Sequence, residues 1–300
     1  MRQTENSVKI EGILSEIDIK TGSFMKNGKP VESISGEIKV QTEQPINGEN
    51  TTLEIPIHFF AAKYKNNGDL NPAYENIEKV MTSFSSISAV GIDLADRVRV
   101  TVNSDAIRMN EYYNQAGQFV TFPRIYASFV TKITKDQMKP TAQFNCEMMI
   151  KAITDEIDRN GDETGRLKIT GIIVEYNDKV DVVDFYTSNE NVKNSIMNYW
   201  KPGDTVKAHG KLNFTSRTET VINADGFGEP VETSRTVSVS ELIITGGSQE
   251  PMSGAFALDI AEVKNGLAAR QARLDALKEK NTVKQKPTPS KNSSIDDLGF

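Results

Sequence analysis

The chain has 300 residues, 37% of them hydrophobic and 25% charged, with a formal net charge of −6. This is the profile of a water-soluble globular protein of one large or two ordinary domains. It holds no apolar run long enough for a membrane helix and no signal-peptide core near its start, and its one cysteine, Cys146, excludes an internal disulfide and fits a reducing cytoplasm.

Residues 8–20 (VKIEGILSEIDIK) alternate apolar and polar side chains, the period of a half-buried strand. A turn, TGSFMKNGKP, separates them from a second alternating run at 33–40, and 52–61 (TLEIPIHFFA) forms a third. There Leu53, Ile55, Ile57 and Phe59 share one parity and are expected inside, leaving Glu54, His58 and Phe60 outward. Residues 71–84 (NPAYENIEKVMTSF) change to helical spacing, with Asn71 placed to cap, Pro72 in the first turn, and Ile77, Val80 and Met81 on one face. Strands are expected at 97–102 and 118–133, joined by a long polar and aromatic hairpin.

After a hydrophilic break at 135–142 (KDQMKPTA) the same order recurs: strands at 144–157, 167–176 and 180–186, a helix at 190–200, and strands at 205–214 and 236–245. In the third of these, Val183 and Phe185 are expected buried and Tyr186 outward beside Asp184, while Trp200 at the helix end reads as core. Two copies of β-β-β-α-β-β is the element order of the OB-fold, a small five-stranded Greek-key barrel. The expected layout is a first barrel over 1–134, a linker at 135–142, a second barrel over 143–250, a helix within 251–280 and a disordered tail over 281–300.

The helix is expected over 255–280. Phe256, Ile260, Val263, Leu267, Leu274 and Leu277 fall on one stripe, with Arg270 in the remaining heptad position. Packing on the second barrel, self-association and a partner-binding role all fit that stripe. Residues 281–292 (NTVKQKPTPSKN) are too polar to offset the entropy of ordering and read as a tether. Beyond it the chain ends SSIDDLGF. An aromatic residue closing a charged tether suits a hook for another protein better than self-burial.

Three stretches together resemble the bacterial and phage single-stranded DNA-binding proteins of the OB-fold class. NSVKIEGIL (residues 6–14) is similar to that family's first strand, and WKPGDTVKAHGKLNFTSR (200–217) to its helix exit and fourth strand. IDDLGF resembles its acidic tip. The chain departs from the family pattern in a shorter acidic run, in Gly299 where a proline is usual, and in carrying two barrels. The resemblance implies a non-catalytic protein without cofactor or metal that coats single-stranded DNA in replication, recombination or repair. It also implies that a tip of Ile295, Asp296, Asp297, Leu298, Gly299 and Phe300 recruits replication or recombination proteins. A phage or mobile-element source is a further expectation, and a homodimer with four barrels is one arrangement open to it.

Binding single strands without sequence preference needs cations for phosphates and flat side chains for bases. In the first barrel the candidates are Phe24, Lys26 and Lys29 after strand one, Phe60 and Lys63 on strand three, and Arg108, Tyr112, Tyr113 and Phe119 in the hairpin. Because Tyr112 and Tyr113 point to opposite sides of an extended chain, only one is expected to meet a base. In the second barrel they are Tyr186, Lys211, Arg217, Phe227 and Arg235, a weaker set because Glu219, Asp225, Glu229 and Glu232 share the loop. Packing of the hairpin itself is the competing reading of these aromatics. No nucleotide-binding loop with a Gly-Lys-Ser/Thr ending occurs, and DRNGDETG (158–165) lacks the glutamate that a calcium loop needs at its twelfth position. A virion β-protein with a helical assembly segment, and an RNA-binding OB protein, are the alternatives.

Overall fold

Alternation in the sequence carries strand pairing further than the turn residues suggest. The computed structural model describes residues 1–46, 48–158, 160–223 and 231–284. Strands β1 (Asn6–Lys26), β2 (Lys29–Ile46) and β3 (Glu49–Ala62) form an antiparallel meander. β1 and β2 stay paired as far as Lys26 opposite Lys29. The connection is Asn27-Gly28, with φ of 50° and 75°, a two-residue turn whose twist matches the paired strands. The segment expected as a loop is therefore an arm of sheet, with Lys26 and Lys29 at its tip and Phe24 just behind.

Helix α1 (Pro72–Ser83) begins as its sequence indicates, the Asn71 side chain accepting from the Ala73 N–H. Tyr74, Ile77 and Val80 are buried, whereas Met81 is only half-buried. A short helix that the sequence pattern did not reveal, α2 (Ile87–Val90), follows. β4 (Arg97–Val102) pairs with β1, and the strand resumes as β5 (Ile107–Tyr113) after Asp105, which takes a φ of 52°. Asn6 closes this break, donating from Nδ2 to the Ile107 carbonyl at 2.7 Å and accepting the Ile107 N–H at 2.9 Å. β6 (Phe119–Tyr126) forms a hairpin with β5 and runs parallel to β3 at Ile57 and Ile125, closing the barrel. The expected strand over 118–133 breaks here, because Asn76 of α1 takes both the N–H and the carbonyl of Val130. Its end is a separate strand, β7 (Thr131–Ile133), on β4.

A single 3-10 turn at Lys135–Gln137 leads to β8 (Thr141–Ile157), so the strand starts inside the expected linker. β9 (Glu163–Val174), β10 (Val180–Thr187), α3 (Glu190–Tyr199), β11 (Thr205–Asn223) and β12 (Val231–Gly247) complete the second unit. Its ring closes in the order β8-β9-β10-β12-β11-β8, with only the β10–β12 pair parallel. Both units are OB-fold barrels. Phe144 and Phe185 fill the second core with ring centroids 5.7 Å apart. Trp200 is buried as expected, its indole N–H donating to the Ser248 carbonyl at 2.7 Å.

Two glycines mark corresponding close approaches. A Cβ at Gly12 would lie 2.2 Å from the Gln41 carbonyl oxygen, and one at Gly210 would lie 1.9 Å from that of Ile243. The barrels join through their first strands, β1 pairing antiparallel with β8 from Asn6 opposite Cys146 to Glu11 opposite Thr141. The buried Gln44 side chain reinforces the seam: its Nε2 donates to the carbonyls of Ala142 and Leu212, and its Oε1 accepts the Ala142 N–H.

Helix α4 (Ile260–Lys284) starts later than expected, because Asp259 accepts the Glu262 N–H at 2.9 Å and sets the first turn there. Val263 and Leu258 pack on Met149, Ile172, Val174 and Val180 of the second barrel, with Leu267 half-buried beside them. Phe256 and Ile260 are 67% and 52% exposed and lie outside the buried stripe. Arg270, in the apolar register, reaches across to Glu111 of the first barrel. Among the described residues no helix is long and apolar enough to cross a membrane.

Candidate nucleic-acid interface

The outer face of β3 and the β5–β6 hairpin carry three groups of rings and cations. At one end the tilted rings of Phe24 and Phe60 meet with centroids 5.5 Å apart, and Phe60 is 58% exposed although its neighbour Phe59 is buried. Lys26 and Lys29 flank them at the arm tip, Lys26 donating to Asn66 Oδ1 at 2.8 Å. Lys63 is already committed, its Nζ lying 2.5 Å from Glu32. Two residues before Phe60, the His58 ring sits 5.6 Å from that of Tyr126, and the Arg108 guanidinium lies 4.9 Å over the Tyr126 ring.

Strand alternation sorts the hairpin into two faces. Arg108 stands opposite Arg124, Asn110 opposite Phe122, and Tyr112 opposite Val120, all on one side. Glu111, Tyr113 and Phe119 are on the other, where the Tyr113 and Phe119 rings meet at 5.4 Å. On the first face the Arg124 guanidinium lies 5.3 Å over Phe122, and Tyr112 meets Phe122 edge-on at 6.4 Å. Tyr112 and Tyr113 thus point apart, as their adjacency implied.

Phe122, Arg124 and His58 form one wall of a groove of about 600 Å³, and Phe214, Thr215 and residues 238–240 of the β11–β12 ribbon form the opposite wall. Among the described residues, neither Arg108 nor Arg124 has a carboxylate partner, whereas Lys39, which also lines the groove, is paired with Glu16 at 2.6 Å. Burial, then the charge of Arg124, pushes the His58 imidazole down to about 4. It is therefore neutral at pH 7, and its 3.3 Å approach to Glu37 is not an ion pair there. A flat neutral ring close to guanidiniums that carry no carboxylate partner suits a base flanked by phosphates.

Phe122, Arg124 and Tyr126 were not among the residues singled out from sequence, and His58 was expected outward but not as part of the site. The signal was available: in FVTFPRIY, Phe122, Arg124 and Tyr126 recur at every second position, an aromatic-basic stripe on one strand face.

The second barrel differs. Tyr186 is half-buried, and the Arg166 guanidinium covers its ring at 4.8 Å. Arg166 is itself held by Glu156 at 2.5 Å and Glu241 at 2.9 Å, and Lys168 is held by Asp184 at 2.8 Å. Burial, then the carboxylates of Asp184, Glu156 and Glu241, pushes the Tyr186 hydroxyl up to about 12. Lys211 donates to the Pro45 carbonyl at 2.6 Å. Arg217 and Arg235 belong to β11 and β12, but their side chains lie outside the described residues, as do Phe227 and the tip from Ile295 to Phe300. Among the described residues no group of three or more His, Cys, Asp or Glu side chains is placed to hold a metal ion.

The model of the YorF family matches residues 4–280. No curated protein matches the sequence. Among solved structures, the chain is similar to the crystal structure of the wild-type single-stranded DNA binding protein from Thermus aquaticus. The TM-score is 0.50 at 8% sequence identity, covering 87% of this chain and 99% of that one. A deletion mutant of the same Thermus protein is similar with a TM-score of 0.48 at 8% identity, covering 85% of this chain and 98% of that one. At such identity the likeness is one of fold.

Proposed function

The chain belongs to the YorF family, and we propose that it binds single-stranded DNA, largely without sequence preference and without catalysing a reaction. The observation that carries this reading is the strip from Phe24 and Phe60, past His58, Tyr126 and Arg108, to Arg124, Phe122 and Tyr112. Rings spaced along an OB-fold face stack successive unpaired bases, and the guanidiniums and the arm-tip lysines meet the phosphates between them. The fold likeness to the Thermus single-stranded DNA binding protein supports the same reading.

A net charge of −6 is compatible with it, because affinity depends on local field rather than on the total. In the second barrel Arg166 and Lys168 are neutralised by carboxylates, so the first barrel is the stronger binder in this account. We assign residues 1–134 and 143–250 to the two barrels. Ile295, Asp296, Asp297, Leu298, Gly299 and Phe300 are assigned to recruitment of replication, recombination or repair proteins in the cytoplasm.

The test is fluorescence anisotropy with labelled poly-dT, duplex DNA and RNA of equal length over a salt series. Preference for poly-dT, with affinity falling as salt rises, supports the reading. Preference for the duplex, or no binding at low salt, ends it, and preference for RNA reassigns the ligand.

A further inference from the structure

The two walls of the groove belong to different barrels, so their spacing depends on what holds the β5–β6 hairpin from behind. The hairpin is tied at two points, one at the free edge of β5 and one on its rear face. Met109 donates its N–H to Asp181 Oδ2 of β10 at 2.7 Å. Two residues on, the Glu111 carboxylate is fully enclosed and receives Arg270 on Oε1 and Arg273 on Oε2, the latter at 2.7 Å. Both arginines come from α4, which also packs Val263 and Leu267 on the second barrel. Arg270 keeps 16% of its side-chain surface and Arg273 39%, whereas Glu111 keeps none.

A glutamate in the middle of a hairpin strand needs no such partners for the hairpin to form. Burying the Glu111 carboxylate and most of Arg270 at one place is costly and gives a weak return in stability. What the cluster does provide is direction. Two hydrogen-bonded arms on the two oxygens of one carboxylate fix the hairpin's tilt as well as its distance. The opposite face of that hairpin carries Arg108, Arg124, Phe122 and Tyr112.

We propose that Glu111, gripped by Arg270 and Arg273, is a positioning residue for single-strand binding: it locks the β5–β6 platform to α4 so that its rings and guanidiniums meet the strand at the spacing set by the second barrel. This rests on the single-strand reading above. Glu111 touches no ligand itself, and it acts through the face behind which it is held.

The test is Glu111→Ala in the full chain. It leaves Arg273, already 39% exposed, free to rehydrate, whereas removing both arginines would strand a fully buried carboxylate. Affinity for poly-dT is measured well below the melting temperature, over a salt series. The expected result is a drop of about tenfold at every salt concentration. The slope of log affinity against log salt should not change, because every phosphate keeps its cation. Restoring the latch with reversed charges, in Glu111→Lys with Arg270→Glu, should recover much of the loss. Arg273→Gln, which removes only the more exposed arm, should show the same pattern at smaller size and serves if Glu111→Ala does not fold.

Unchanged affinity in a folded variant overturns the proposal, as does a salt slope that flattens in Arg273→Gln, which would make this cluster a phosphate site. If the unaltered protein binds poly-dT but these variants bind as well, only the latch fails. If the unaltered protein does not bind poly-dT, both readings fail.

Discussion

Replacing Phe122 by alanine separates a stacking role from a packing role. Phe122 is half-buried, with Arg124 over its face, Tyr112 at its edge and the groove beside it. If one base stacks there, its loss costs about 1–3 kcal/mol of binding. Arg124 also loses the ring that holds it flat, an interaction of ~0.5–1 kcal/mol at a solvated site. The sum corresponds to a loss of affinity of roughly tenfold or more.

Stability should change less. A core phenylalanine costs about 3–5 kcal/mol on truncation to alanine, but one side of this ring already faces an open groove. A cost of about 1–2 kcal/mol would lower the melting temperature by roughly 2–8 °C in a chain of this size. The assay pairs poly-dT anisotropy with a thermal melt of the same sample. Unchanged affinity would show that the ring only packs the hairpin. A collapse in melting temperature comparable to that of Phe144→Ala, which removes a buried ring packed against Phe185, would refute the reasoning outright.

Changing Lys26, Lys29 and Arg108 together to alanine should flatten the dependence of log affinity on log salt by about 0.7 for each phosphate left without its cation; an unchanged slope would send the strand elsewhere. Burial, then the neighbouring Asp181 carboxylate, pushes Glu175 up to about 7, although Lys179 at 2.6 Å pulls the other way. A carboxyl raised from its usual 4.5 supports the fold while protonated, and that support is lost as pH rises through about 7. Thermal melts should therefore show declining stability from about pH 5 to about pH 8 and a flatter profile in Glu175→Gln, whereas a rise over that window contradicts the assignment. Deleting residues 295–300 should leave poly-dT affinity equal or slightly higher while abolishing co-purification of replication or recombination proteins. Phe300→Ala is the sharper variant, and lost DNA binding would make the tip part of the DNA site.

Local periodicity made the barrels legible. Leu53, Ile55, Ile57 and Phe59 are all buried, as their parity required, and α1 begins at the asparagine cap its sequence offers. Features that depend on distant partners were not legible. Asn27-Gly28 reads as loop residues, yet it closes a long sheet arm because β2 continues the register of β1. The break after Tyr126 depends on Asn76, some fifty residues earlier in the chain. Arg270 looked like a polar interruption of an apolar stripe, and its reason is a carboxylate 159 residues away. The site divides in the same way. Phe24, Phe60 and Tyr112 stood out as aromatics beside basic residues, whereas Arg166 covers Tyr186 only because Glu156 and Glu241 converge on it.

The central claim is that a single strand lies along the face of β3 and the β5–β6 hairpin, and photo-crosslinking tests it most directly. A poly-dT oligonucleotide carrying photoreactive thymines, irradiated on the full-length protein at low salt and mapped by peptide mass spectrometry, reports which side chains touch bases. The account predicts adducts at Phe60, Phe122 and Tyr112, with weaker labelling at the tip of the β1–β2 arm. Adducts confined to the second barrel, around Tyr186 or α3, with none on the β5–β6 hairpin, would contradict it.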